Sequence, residues 1–303
     1  MTFSRADVTR AAGDGLLSFP VTDFDSDGRF DAESYRKRIA WLLEYEISTL
    51  FVAGGTGEFF NLGLEEFSDI VRVAVEETAG RVPVIASAGQ SMTMAKAHAA
   101  AAEAAGADGI LLMPPYLTEC SQEGIVEYAA EICNSTSINV IYYNRANGAL
   151  EAPAVKALAD RCPNLIGLKD GRGDIQSLNT IIKTVGDRLI YIGGVPTAEI
   201  FAEAYLSIGV NTYSSAVFNF VPEMAVHFYK SLRAGDHETV ARLTNDFFIP
   251  FIAMRDKCRG YAVSLVKAGA AQVGHPAGNV RAPLTMPSVE EVEQLKVLIE
   301  RVR

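Results

Sequence analysis

Eight short apolar runs, each followed by a helix-forming segment, constrain the fold of this chain more than any other feature. The runs cover residues 16–21, 49–52, 82–86, 109–113, 139–143, 165–169, 189–193 and 210–214. The segments between and after them, at about 31–45, 64–79, 92–105, 122–135, 152–161, 175–185, 198–208 and 222–234, have helical length and pattern. The third is rich in alanine, the strongest helix former. Several runs are continuously apolar rather than alternating, as parallel strands covered on both faces require. Eight even β-α units predict a (β/α)8 barrel, with an open doubly wound sheet as the alternative. The glycine turn at Gly54-Gly55-Thr56-Gly57 does not favour that alternative. It lacks the dinucleotide spacing and follows the second run, not the first. Pro114-Pro115 are expected to stop the fourth strand.

The repeat ends near residue 234, and the barrel is placed at 1–236 with a C-terminal helical region at 237–303. Pro250 interrupts one apolar stretch there. Ser288-Val289-Glu290-Glu291 reads as a capping box opening the last helix, with Ile299 and Val302 on its apolar side. Such a region covers either the barrel or a subunit contact, and both readings stay open.

Barrel chemistry sits at the C-terminal ends of the strands. That rule collects Gly54 to Glu58 after the second run, Tyr116 after the fourth, Tyr143 at the fifth and Lys169 at the sixth. Gly193-Gly194 end the seventh and Ser214-Ser215 the eighth. Lys169 closes the apolar run Leu165-Ile166-Gly167-Leu168. Burial there lowers an amine pKa from about 10.4 and yields a nucleophile able to form an imine with a ketone. Tyr143, at the neighbouring strand end, is placed to relay a proton. The Gly54-Gly55-Thr56-Gly57 amides, with the Thr56 hydroxyl, suit a carboxylate, while Glu58 is expected to point elsewhere. Taken singly, each residue has a plainer reading: a solvated strand end, a rim aromatic, a tight turn.

Composition narrows the partners. Lys plus Arg total 27 against 37 Asp plus Glu, a formal charge of -10, with no long basic run, so a nucleic-acid backbone is not expected. No stretch of about 20 apolar residues predicts a membrane span, and the first fourteen residues carry charge without a signal-type core. The four cysteines and four histidines are scattered without metal-ligand spacing, so no metal is proposed and a reducing cytoplasm is expected.

Together, Phe19-Pro20-Val21-Thr22, Gly54-Gly55-Thr56-Gly57-Glu58, Pro115-Tyr116, Tyr143-Asn144 and Gly167-Leu168-Lys169-Asp170 form an ordered set. By that set the chain resembles the dihydrodipicolinate synthase and N-acetylneuraminate lyase superfamily over about residues 13–300. The resemblance implies a TIM barrel with a C-terminal helical part, commonly assembled as a dimer or tetramer. It implies that Lys169 forms the Schiff base, that Tyr143 transfers protons, and that Gly55 and Thr56 bind an α-keto carboxylate. Three departures point away from the lysine-biosynthesis synthase. Gly55 stands where that enzyme has a hydroxyl residue, Leu117 follows Tyr116, and Tyr143-Asn144 continues as Arg145-Ala146-Asn147 without proline. These runs, with Phe59-Phe60, are similar to the branch that dehydrates and decarboxylates 5-dehydro-4-deoxy-D-glucarate to 2,5-dioxopentanoate. That reaction needs no redox cofactor, because the imine is the electron sink. A keto-deoxy sugar diacid also needs a second anion contact, for which Arg145, Asn147, Ser214 and Ser215 are candidates. Gly194 is expected to leave room for the distal chain. A Schiff-base aldolase, a dihydrodipicolinate synthase and a non-catalytic sugar-acid binder remain alternatives.

Overall fold

The computed structural model describes residues 3–303. Eight parallel strands close into a barrel in sequence order, with β1 (Leu17–Ser18) pairing both β2 (Thr49–Val52) and β8 (Thr212–Ser215). Between them run β3 (Val84–Gln90), β4 (Gly109–Pro115), β5 (Asn139–Asn144), β6 (Leu165–Asp170) and β7 (Ile190–Gly193). Closure removes the edges that an open sheet would expose, so the doubly wound alternative is excluded. The strand after residue 109 does not stop at its prolines. Both lie within β4, at its C-terminal end, where ring nitrogens forfeit little ladder bonding.

An unanticipated helix, α1 (Arg5–Gly13), precedes the barrel. The charges noted in this segment form its capping box, Ser4 with Asp7. Its Val8 and Ala12 pack with Leu17, Phe51, Ile85, Leu111, Ile141, Ile166 and Ile192, the inward side chains of the strands. The helix thus lies against the interior layer of the barrel.

The surrounding helices are α2 (Ala32–Leu42), α3 (Leu64–Thr78), α4 (Met92–Ala104), α5 (Gln122–Cys133), α6 (Ala152–Arg161), α7 (Ile175–Val185), α8 (Ala202–Ser207) and α9 (Pro222–Ala234). Four begin at side chains that accept from the third helical amide: Asp31, Ser91, Ser121 and Asp174. The segment expected at 198–208 is split, a 3-10 turn at Ala198–Phe201 leading into the short α8. Of the described residues, no helix is long and apolar enough to cross a membrane.

Four further helices follow: α10 (His237–Leu243), α11 (Ile249–Arg255), α12 (Tyr261–Gln272) and α13 (Val289–Glu300). Pro250 does not break a helix. It follows a wide turn at Thr244–Phe248 through which the backbone stays helical from α10 into α11, and that widening accommodates a ring without an N–H. Ser288 and Glu291 form the capping box of α13; Ile299 is buried on that helix and Val302 packs just beyond its end. Buried ion pairs tie α12 and the chain after it to the barrel loops. Lys267 meets Glu58 at 2.9 Å with both side chains fully buried, and Arg38, bonded to Asp23 at 2.6 Å, also donates to the His275 carbonyl at 2.8 Å.

Side chains on a strand alternate between the barrel interior and the helical layer. On β8 that parity turns Ser215 outward, where its hydroxyl donates to Glu199 at 2.6 Å. Burial pushes the Glu199 carboxyl up to about 7; the Ser215 bond, a backbone bond and the more distant Arg255 charge oppose the rise only partly. A carboxyl whose folded value exceeds its unfolded one favours the folded state most below its unfolded value, near 4.5, and loses that advantage as pH rises through about 7. Glu199→Gln keeps the Ser215 bond and removes the ionisation. The variant is therefore expected to match the native protein in stability near pH 4.5 and to exceed it near pH 8, by an amount on the order of 3 kcal/mol at most. Urea unfolding at the two pH values reads the difference. A constant offset between the proteins would refute the assignment.

Candidate active site

The C-terminal ends of the strands open into a cavity of about 890 Å³. Phe19, Gly55, Thr56, Tyr143, Lys169, Gly194 and Ser214 line its floor and walls. Phe251 and Arg255 of α11, Ala262 and Val263 of α12, and Leu284 complete it. The C-terminal helices therefore form part of the cavity wall.

Lys169 and Tyr143 face each other in register on β6 and β5. Both side chains point inward, and only 4% of Lys169 remains exposed. The Lys169 Nζ lies 3.9 Å from the centre of the Tyr143 ring and 5.1 Å from that of Phe19. It donates to the Gly194 carbonyl at 3.2 Å, and the Tyr143 hydroxyl donates to the same oxygen at 2.8 Å. Burial lowers the Lys169 pKa, an effect only partly offset by Tyr143 and Asp170. For the Tyr143 phenol, burial acts to raise the value. The charges of Lys169 and Arg145 outweigh it and hold the hydroxyl below its ordinary range.

Arg145 reaches the Tyr143 hydroxyl with Nη1 at 3.2 Å. It is exposed at the rim of the cavity. Asn144, one residue earlier, points outward and clasps its own loop: its amide oxygen accepts from Leu150 N at 2.6 Å and its amide nitrogen donates to Leu150 O at 3.2 Å. Asp170 does the same for the loop after β6. It accepts from the backbone of Arg172 and Gly173 and from the Tyr205 hydroxyl at 2.8 Å. A Cβ on Gly171 would lie 2.7 Å from the Tyr143 ring, so this loop packs directly on the tyrosine.

The glycine turn is shaped from behind. Thr22 donates to the Gly57 carbonyl at 2.7 Å, and Asn219 bridges Val21 N and Phe19 O. Ala53 and Glu58 take left-handed backbone, reversing the chain so that Gly55 and Thr56 line the cavity. Among the described residues no backbone hydrogen bond is donated by the N–H of Gly55 or Thr56. A Cβ on Gly55 would meet nothing within 4 Å, so the turn leaves open space beside those amides. Glu58 turns away, as expected, into its pair with Lys267.

Three of the expected contacts differ from the sequence reading. Gly194 does not make room for a distal chain: a Cβ there would lie 2.5 Å from Lys169 Cγ and 2.7 Å from its Nζ, so the missing side chain accommodates the lysine. Ser215 faces Glu199 behind the barrel wall, whereas Ser214 lines the cavity and donates to Gly193 O at 3.4 Å. Asn147 lies on the cavity wall, but its amide nitrogen is committed to the carbonyls of Pro115 and Thr118 at 2.8 and 2.7 Å, pinning the loop after β4. Parity along β8 would have separated Ser214 from Ser215 in advance. Arg255 had no such signal, because only the packing of α11 brings it to the cavity.

The dihydrodipicolinate synthetase family matches residues 12–302. A probable 5-dehydro-4-deoxyglucarate dehydratase of Ralstonia nicotianae is 52% identical over 300 residues, 99% of this chain and 96% of the relative. A 5-dehydro-4-deoxyglucarate dehydratase of Pseudomonas putida is 53% identical over 288 residues, 95% of each. Among solved structures, dihydrodipicolinate synthase from Bacillus clausii superposes with a TM-score of 0.88 at 27% identity, covering 97% of this chain and 98% of that one. YagE of E. coli K12, a prophage protein of the dihydrodipicolinic acid synthase family solved in complex with pyruvate, gives 0.85 at 27% identity, covering 95% and 98%. With this barrel and a match over nearly its full length, the chain belongs to the dihydrodipicolinate synthetase family.

Proposed function

We propose that this chain is a decarboxylating dehydratase that converts 5-dehydro-4-deoxy-D-glucarate to 2,5-dioxopentanoate, water and carbon dioxide through an imine on Lys169. The observation that carries this reading is the buried Lys169 amine, held against Tyr143 and the Gly194 carbonyl in the cavity. The relatives at 52% and 53% identity bear the dehydratase name.

The neutral Lys169 amine attacks the C5 ketone, and water leaves to give a protonated imine. The amides of Gly55 and Thr56 hold the adjacent C6 carboxylate. Tyr143, directly or through a water it orients, removes a C4 proton, and hydroxide departs from C3 as water. The C1–C2 bond of the resulting conjugated imine then breaks. Its electron pair flows through C2–C3 and C4–C5 to nitrogen, releasing carbon dioxide and leaving an enol at C2. Proton return gives the aldehyde, and hydrolysis frees the product and Lys169. Over the cycle one proton is taken up, and the water released in forming the imine is returned in its hydrolysis. The depressed Tyr143 value suits this duty, because a tyrosinate is an accessible base only where cations support it. The same reading carries a cytoplasmic homo-oligomer, dimer or tetramer. Its four free cysteines suit a reducing compartment, and Tyr116 and Leu117, which line the cavity, are exposed large apolar side chains of the kind a subunit contact covers.

Incubation with the keto-deoxy diacid is expected to release carbon dioxide and dioxopentanoate in equal amounts, and Lys169→Ala to release neither. Pyruvate among the products would move the assignment to an aldolase. The rate of cyanoborohydride-trapped adduct formation should climb with pH and level off well below the ordinary lysine value of about 10.4. In Tyr143→Phe the midpoint should fall further, since the tyrosine opposes the burial effect, while turnover drops about 100-fold or more. A midpoint that rises, or turnover that persists, would remove Tyr143 from the mechanism. Gly194→Ala is expected to slow adduct formation at least about tenfold by displacing Lys169, with a stability loss of about 1–3 kcal/mol. Wild-type trapping kinetics in that variant would show that the lysine does not need the space.

A further inference from the structure

We infer that Arg255, at the end of α11, grips the carboxylate at the far end of the substrate chain and so selects diacids over monoacids. The inference rests on the diacid reading above but is tested without turnover.

Arg255 lines the same cavity as Lys169, and its side chain is only 16% exposed. Its guanidinium is held in place on one side. Nη1 donates to the Pro196 carbonyl at 2.9 Å and to the Thr197 hydroxyl at 2.8 Å, and Nε donates to Asp256 at 2.8 Å. Among the described residues Nη2 makes no hydrogen bond. A fixed guanidinium with a free donor pair suits a carboxylate guest. Its acidic neighbour Asp256 is 61% exposed and therefore screened by solvent.

Position argues the same way. The loop after β7 touches both cations: its Gly194 carbonyl receives Lys169, and its Pro196 carbonyl receives Arg255. Two residues of chain span at most about 7 Å. A six-carbon acid bound as an imine at C5 places C1 roughly 5 Å away, toward the other end of that loop. The C6 carboxylate is adjacent to the imine carbon and falls to Gly55 and Thr56. Arg145, the other cation at the cavity, is bonded to the Tyr143 hydroxyl and supports the proton-transfer pair, so a carboxylate there would weaken that support. The contact to C1 is kept through imine formation and dehydration and is lost as carbon dioxide leaves, so it adds affinity for the diacid and opposes only the final decarboxylation.

The test uses two unreactive probes of equal length, 2-oxoadipate, a diacid, and 2-oxohexanoate, a monoacid. Each is trapped on Lys169 with cyanoborohydride, and half-saturating concentrations are compared in the native protein, Arg255→Met and Arg255→Lys. The native protein is expected to prefer the diacid by about tenfold or more, as for a hydrogen bond to a charged group. Arg255→Met should lose that preference through the diacid alone, and Arg255→Lys should keep part of it. Unchanged monoacid trapping shows that the fold and the loop after β7 survive. An undiminished diacid preference in Arg255→Met would overturn the inference, and so would an equal fall for both probes, which would mark Arg255 as a brace for Pro196 and Thr197. If the preference follows Arg255 while the keto-deoxy diacid releases no carbon dioxide, the dehydratase reading fails and the carboxylate contact stands.

Discussion

Two polar side chains from adjacent strands converge on one carbonyl oxygen, that of Gly194, and the working end of the barrel is arranged around that meeting. An ammonium buried among Phe19, Tyr143 and backbone is poorly solvated, and its neutral form is favoured. The neutral amine still needs a partner for its N–H, and the Gly194 carbonyl supplies one without adding a full negative charge. An acid in that position would stabilise the ammonium and suppress the nucleophile. Asp170, the nearest candidate by sequence, is turned by strand parity into the helical layer, where Tyr205 and two backbone amides occupy its oxygens.

The loops that carry the site are fixed by polar clasps on the outer side. Asn144 closes the loop after β5 on Leu150, Asp170 closes the loop after β6, and Thr22 with Asn219 fixes the turn containing Gly55 and Thr56. None of these side chains lines the cavity. Each satisfies backbone groups that a tight turn would otherwise leave unpaired. A second tier ties the C-terminal helices down through Glu58 with Lys267, Asp23 with Arg38, and Arg281 with Glu66. The first two pairs are buried, and buried pairs contribute little net stability against an apolar packing, but losing one partner leaves a charge uncompensated. The geometry of this tier fixes where α12 and the chain after it sit, and with them the part of the cavity wall that Val263 and Leu284 form.

Much of this was legible in the sequence, because period and continuity of apolar residues are local properties. The eight runs gave the barrel, and the rule that chemistry gathers at strand ends put Lys169, Tyr143, Gly55 and Thr56 in one cavity before any contact was known. What stayed hidden depends on long-range packing. The segment of α1 carries too few apolar residues to announce itself, yet Val8 and Ala12 suffice once an open barrel interior awaits them. Arg255 looked like one surface arginine among many, since nothing in residues 249–255 shows which way α11 will face. Gly194 was recognised as a place where a side chain is missing, but what fills the space, Lys169, is visible only in three dimensions. The pairing of Ser214 with Ser215 was a lapse in applying a rule already available, the alternation of a strand.

The charge distribution of the cavity runs against that of the chain. A protein of formal charge -10 repels a dianion at long range, yet the cavity brings Lys169, Arg145 and Arg255 together. Glu58, the acid next to the glycine turn, is drawn out of the cavity by Lys267. Glu199, the acid behind Ser215, is pushed toward its neutral form by burial. The site is thus made positive as much by removing acids as by adding bases. This has a catalytic consequence. Burial is what chiefly lowers the Lys169 pKa, and the Arg145 charge acts in the same direction while it also joins Lys169 in making the Tyr143 phenol a stronger acid. A second cation equally close would tighten the diacid but resist the growing charge of the imine. Placing Arg255 across the loop after β7 separates the two demands: one arginine tunes the proton-transfer pair, and the other faces the far end of the cavity, where it meets the substrate without opposing the step at Lys169.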